Sequence, residues 1–309
     1  MPHITFVHGI LNKPREDILR RAWKRALSDE GFDLDSSGVT ASMVYWADLL
    51  YPKFADPSGY QNASDELLIS DEDSVELQSW IDGLEGDEKI MVEGLMEKWR
   101  LREEDLVDEV YQPVTPQPGG GFQAIPLPSG LEKLAMAVLL KDVHHYLFNV
   151  EYSPDSGPKV PIQTEIRKRF VDDLNANRPA DDVHVVIGHS MGAVIVYDCL
   201  KNVNECPGVT GIVTLGAPLG LSEVYNHFRP PYQRDYAYPS GKAKSWSNFS
   251  AWGDIVALDR GLRQEYRENG VKVVDDEMVW NPGLWKHHSH DYLAQHKVIQ
   301  RLRKLTNRV

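Results

Sequence analysis

Residues 183–194 read VHVVIGHSMGAV, and this stretch constrains the fold more than any other in the chain. Val183 to Ile187 is a short, nearly continuous apolar run, the pattern of a strand in a parallel sheet with both faces covered. It stops at Gly188. Apolar residues resume after Gly192 and continue through Ala193–Leu200 as a helix. A buried strand that turns at once into a helix is the building block of an α/β sheet. The turn itself has the form Gly-x-Ser-x-Gly. Two glycines there have a steric use: side chains at 188 and 192 would collide with the adjoining strand and helix. Such a turn lifts the Ser190 hydroxyl out of the sheet and sets it at a helix N-terminus, whose dipole favours developing negative charge.

The same alternation runs elsewhere. His3–Val7 (HITFV) is a strand ending at His8-Gly9. Glu16–Leu27 carries Ile18, Leu19, Ala22, Trp23 and Leu27 at helical spacing. Val39–Trp46 is β-branched and aromatic, a second strand, so the pair implies a parallel crossover unit. Ile162–Ala176 is an amphipathic helix. Val209–Leu215 (VTGIVTL) is a further strand, with weaker ones at Ser245–Ala251 and Val271–Val274. Tyr292–Leu305 closes the chain as a helix. The expected fold is α/β, a doubly wound, mostly parallel sheet with helices on both faces.

Between the second strand and Ile162 the alternation pauses. Residues 62–110 read as acidic amphipathic helices anchored by Leu67, Leu68, Trp80, Ile81 and Leu84, then by Met91, Leu95, Trp99, Leu106 and Val110. Five prolines and Gly119-Gly120-Gly121 make 111–130 a loop, and Leu131–Val150 is an apolar helix. The expected organisation is a core of residues 1–51 and 151–309 with a helical cap, 52–150, inserted in it.

Charge follows the same division. Residues 51–110 hold eighteen Asp/Glu and five Lys/Arg, which accounts for the whole net charge of -13. Such a face repels nucleic acid and anionic bilayers and keeps the insertion soluble. No apolar run reaches membrane-spanning length, and the first residues lack a signal-like segment. Two cysteines, Cys199 and Cys206, supply neither a disulfide framework nor a zinc site. A cytoplasmic location is expected, with signal-less export as the alternative. The sequence holds no metal constellation and no glycine-rich phosphate loop, so no cofactor is expected. His184 and His144-His145 read as strand or helix residues rather than ligands.

HGI at 8–10, YWADLLYP at 45–52, GHSMGA at 188–193, TLGAPLG at 214–220, and the tail from WGDIVALD to HHSHDYL together resemble the α/β-hydrolase superfamily, in particular bacterial lipase-like and esterase-like serine hydrolases. The resemblance covers most of the chain outside the cap. One departure is that the chain begins at the His-Gly strand, where the superfamily has one or two strands before it. A smaller sheet of about six strands is therefore expected. The resemblance implies a nucleophile, an acid and a histidine in that chain order. Ser190 is the nucleophile.

The base belongs in a loop ahead of the last helix, which excludes His227 and His296 and leaves His287, His288 and His290. The His-x-Tyr-Leu arrangement that the resemblance implies selects His290, with His288 in reserve. The acid belongs after the strand near residue 250, at Asp254 or alternatively Asp259, and the resemblance selects Asp254. A carboxylate there holds the imidazole tautomer. The oxyanion hole takes one N–H from Met191 and one from Ile10, with Leu11 the alternative, while Gly9 permits close approach. His8 reads as a structural hydrogen-bonding residue and His189 as packing beside the turn.

The implied activity is cleavage of a carboxylic ester through an acyl-enzyme. The substrate is a small or lipid-like acyl ester under an apolar cap. Acyl transfer or amide and peptide cleavage would use the same residues. A non-catalytic binding module on a hydrolase fold is the alternative of another class. Trp80, Trp99 and the 131–150 segment favour peripheral membrane contact by a lid, and the negative charge opposes it for anionic bilayers.

Overall fold

The computed structural model describes residues 1–57, 79–110, 140–180, 183–228, 233, 237–282 and 286–308. Leu67, Leu68, the 111–130 loop and the first part of the expected 131–150 helix lie outside the described residues, as do the side chains of Trp99, Leu106 and Val110.

Six parallel strands form the central sheet: β1 (His3–Val7), β2 (Thr40–Val44), β3 (His184–His189), β4 (Gly211–Leu215), β5 (Trp246–Ala251) and β6 (Val274–Val279). Their order is β6-β5-β4-β3-β1-β2, and every pairing is parallel. Every residue of β1, β3, β4 and β5 is buried, which is why apolar and small residues dominate these segments.

Side chains alternate between two cores. On one face Phe6, Val185, Ile187 and Val213 pack with Leu19, Trp23 and Leu27 of α1 (Glu16–Asp29) and with Val298, Ile299 and Leu302 of the C-terminal helix His296–Thr306. On the other, Val7, Val44, Val186 and Ile212 pack with Ile162, Ile166, Phe170 and Leu174 of the helix Ile162–Ala176 and with Val194 and Ile195 of Met191–Asn202. The four-residue spacing of 162, 166, 170 and 174 makes one continuous stripe. Each such side chain contributes about 1.5–3 kcal/mol on full burial.

Two expectations are corrected. The last strand is not Val271–Val274 but β6. Val271–Lys272 instead forms a two-residue hairpin with Arg267–Glu268. β6 is an edge strand with one neighbour, so its central Asp275, Asp276 and Glu277 stay partly exposed and the apolar signal is weak. The C-terminal helix is also broken, into Ser289–Leu293 and His296–Thr306.

Among the described residues, 52–150 adds no strand to the central sheet. Its helix Gly86–Val110 docks on the helix Ser222–Phe228, where Lys98 Nζ reaches Ser222 Oγ and Glu223 Oε2 at 2.5 Å. The helical stretch 140–147 packs Leu140, Val143, Tyr146 and Leu147 into the second core together with Ile81, Leu84, Met91, Val92 and Leu95. Tyr146 donates to the fully buried Asp198 at 2.6 Å, and Arg167 grips the same carboxylate through two bonds of 2.7 and 2.8 Å. That network ties residues 140–147 to the helix that follows Ser190. No described helix is long and apolar enough to cross a membrane.

Candidate active site

The order of the sheet fixes where a site belongs. Chain order runs outward from β1 to β2 on one side and from β3 through β6 on the other. The reversal falls between β1 and β3, and ligands of open α/β sheets bind outside the carboxyl ends of strands at such a point. The carboxyl end of β1 leads into His8-Gly9-Ile10-Leu11, and that of β3 into Ser190.

Ser190 has φ 55° and ψ -125°, a left-handed conformation that non-glycine residues rarely hold. Its surroundings impose it. A Cβ on Gly188 would lie 2.7 Å from the backbone of Ala193, and one on Gly192 would lie 2.1 Å from the Val7 carbonyl oxygen. Strand and helix are thus pressed together across the turn, and glycine is required at both positions. The Ser190 N–H donates to the Leu215 carbonyl at 2.9 Å. Its Oγ is buried and has no hydrogen-bond partner among the described residues. Met191 opens the following helix, where the first N–H groups have no intrahelical acceptor.

The β1 loop lies directly against the serine. A Cβ on Gly9 would sit 2.7 Å from Ser190 Cβ. His8 is buried and stacked on Trp46 at 4.7 Å, and its Nε2 accepts the Trp46 N–H at 3.0 Å. Nδ1 therefore carries the proton and donates to the Gly9 carbonyl at 2.8 Å. Burial lowers the His8 pKa to about 3, so the ring is neutral and holds the loop. Of the two loop donors considered, the Leu11 N–H is taken by Asp142 Oδ2 at 2.9 Å, whereas the Ile10 N–H bonds to no described residue.

Asp254 follows β5 and Gly253, whose φ of 77° makes the turn. The carboxylate is buried and accepts from four groups: His287 Nδ1 at 2.8 Å, Tyr292 Oη at 2.6 Å, and the Val256 and Ala257 N–H groups at 2.9 and 3.2 Å. Burial works to raise its pKa, but His287, Tyr292 and the Val256 N–H together outweigh burial and hold it below the usual carboxylate value.

The histidine on Asp254 is His287, not His290. His287 is buried, its ring packs on His189 at 4.7 Å, and its carbonyl accepts from His189 Nε2 at 2.8 Å. It also faces Gly216, where a Cβ would lie 2.9 Å from both the His287 ring and Asp254 Oδ2. This stacks His287 over the end of β4 and against the ring of His189, the residue before the serine.

His290 is 53% exposed and lies near Asp291, with 3.7 Å between His290 Nδ1 and Asp291 Oδ1. The reason is helical geometry. The helix Ser289–Leu293 turns Tyr292 inward onto Asp254, and two residues back along a helix points to a different face. His288 caps that helix, with Nδ1 accepting the His290 N–H at 3.3 Å. The alternative acid, Asp259, is exposed and packs against Gly220, and its hydrogen bonds do not include a histidine among the described residues.

Two residues beside the pair have roles that the sequence does not show. Tyr292 stood inside the His-x-Tyr-Leu pattern but as a marker for His290, and its hydroxyl is in fact the short donor to Asp254. His189 packs on the His287 ring and also holds the His287 main chain. No group of three or more potential metal ligands occurs among the described residues.

No protein-family model matches this chain, and no curated protein matches it. Among solved structures, an uncharacterized protein from Pseudomonas aeruginosa is similar at a TM-score of 0.29 and 12% identity, over 91% of this chain and 40% of that one. The chain thus spans well under half the length of that protein.

Proposed function

We propose that this chain is a serine hydrolase of carboxylic esters, with an α/β-hydrolase type of core and residues 52–150 as its cap. Ser190 Oγ attacks the acyl carbonyl while His287 Nε2 takes its proton. The C–O bond to the alcohol breaks as His287 returns that proton to the leaving oxygen. Water repeats the sequence on the acyl-enzyme, releasing the acid and free Ser190. Asp254 accepts the His287 Nδ1 proton in a hydrogen bond, which keeps Nε2 free as base and stabilises the imidazolium. The N–H groups of Met191 and Ile10 hold the oxyanion.

The observation that carries this reading is the conformation of Ser190. A left-handed serine between two obligatory glycines, at a strand-to-helix turn beside a buried Asp–His pair, has no evident structural use. A serine placed only to cap the helix would bond to it, and the Ser190 side chain makes no cap bond. Acyl transfer and amide cleavage share this machinery, and the ester reading rests on the apolar side chains that residues 81–95 and 140–147 bring to the second core.

The test is turnover of chromogenic acyl esters of increasing chain length. Hydrolysis by the wild type, lost in Ser190→Ala, is expected. Equal hydrolysis by both proteins would overturn the assignment.

A further inference from the structure

We propose that Asp142, from the segment between β2 and β3, is a positioning residue that fixes the oxyanion loop. The role rests on the hydrolase reading above. Asp142 lies in the helical stretch 140–147 and is 4% exposed. Its Oδ2 accepts the Leu11 N–H at 2.9 Å, across 131 positions of sequence. The Tyr51 hydroxyl lies 3.0 Å from each carboxylate oxygen. The same carboxyl group therefore joins the loop after β1, the segment after β2 and the 140–147 helix.

The loop needs such a hold. Leu11 has φ 72°, a left-handed conformation that a leucine keeps only where its surroundings impose it. Farther on, the Lys13 carbonyl accepts from the Ala55 N–H at 3.0 Å and from Tyr45 Oη at 3.2 Å, and Asn12 Nδ2 donates to the Lys53 carbonyl at 2.8 Å. On the near side, His8 pins Gly9. Between those anchors the peptide joining Ile10 to Leu11 is set by the Asp142 bond. His8 holds the peptide that carries the Ile10 N–H through its Gly9 carbonyl, and Asp142 holds the next peptide through the Leu11 N–H, so the loop is fixed on both sides of Ile10.

It also keeps the Leu11 N–H from competing as a donor in the site. A group of the insertion thereby shapes the catalytic loop. Either protonation state of the carboxyl leaves an oxygen able to accept from Leu11, and an asparagine Oδ1 does the same. Removing the acceptor leaves a buried N–H unsatisfied and the strained turn unheld.

The experiment compares wild type, Asp142→Ala, Asp142→Asn and Tyr51→Phe by ester kinetics, by the rate of fluorophosphonate reaction, and by hydrogen exchange of peptides covering residues 8–13. For Asp142→Ala, kcat and the labelling rate fall together by about 10- to 100-fold with KM changed less than about threefold, because the loop donor acts in the transition state. Exchange in 8–13 rises. Asp142→Asn restores the rate to within about threefold of wild type. Tyr51→Phe keeps the Leu11 bond and guards against misfolding of the alanine variant, and gives a smaller loss of the same kind.

A wild type that labels and hydrolyses, with an alanine variant that is folded and equally fast, overturns the positioning role alone. So does an asparagine variant as slow as alanine. A wild type that never labels at Ser190 overturns the hydrolase reading, and the catalytic role of Asp142 with it. Exchange still reports whether Asp142 holds the loop.

Discussion

Tyr292→Phe removes one oxygen and, with it, two buried hydrogen bonds. The Tyr292 hydroxyl donates to Asp254 Oδ2 at 2.6 Å and accepts the Ala251 N–H at 2.8 Å. A bond to a charged acceptor contributes about 1.5–3 kcal/mol, and an orphaned buried N–H costs about 1–3 kcal/mol. The two share one atom and do not add fully, so a loss of about 3 kcal/mol is expected, equivalent to a fall in Tm of about 5 °C for a chain of this size.

The pH dependence follows from the sign of the Asp254 shift. Its folded pKa is depressed, so its ionised form contributes stability that is present above the unfolded pKa and is lost as pH falls through the folded pKa. Losing the Tyr292 donor raises that folded pKa, so the loss begins at higher pH in the variant, and the difference between the two proteins is constant well above the ordinary carboxylate range. Urea unfolding of both proteins at pH 8, 7, 6 and 5 is the assay, with ester turnover at each pH. A destabilisation below about 0.5 kcal/mol would refute the reasoning, because it would mean that neither bond matters in the folded state.

Three further outcomes follow from the same geometry. His287→Ala lowers ester turnover by about 10³-fold or more, while His290→Ala stays within about threefold, and steady-state kinetics of the two variants decide between the histidines. Gly192→Ala places a Cβ 2.1 Å from the Val7 carbonyl oxygen, an overlap that neither strand nor helix backbone can relieve, and costs about 3 kcal/mol or more by denaturant unfolding, with loss of activity. Burial raises the Asp142 pKa to about 6, against the Leu11 N–H, the Tyr51 hydroxyl and the Lys13 and Lys141 ammonium groups. A raised carboxyl pKa costs stability above the unfolded value of 3.8, with the cost complete above the folded one. Asp142→Asn therefore gains on wild type as pH rises from about 4 to 7, by on the order of 3 kcal/mol.

The interior of the sheet was legible in sequence because strands covered on both faces carry no polar requirement. HITFV, HVVI and GIVTL are mostly apolar and lie in β1, β3 and β4. The edge strand β6 was misplaced because one free side lets Asp275, Asp276 and Glu277 stay partly in solvent. Around the site, the glycines at 188 and 192 marked the turn at Ser190 because their need is local and steric. The histidine was not legible. Three histidines fall within four residues, and which one meets Asp254 depends on where the Ser289–Leu293 helix begins. Asp142 carried no local signal at all, since its partner Leu11 is brought to it by the packing of residues 140–147 on the core.

If Ser190 is an activated nucleophile, a fluorophosphonate attaches to it and to no other residue. Intact protein and its peptides would be weighed after reaction with the probe. One adduct is expected, on the peptide that contains GHSMGA, absent in Ser190→Ala and strongly slowed in His287→Ala. An adduct at another residue, or undiminished labelling of Ser190→Ala, would contradict it.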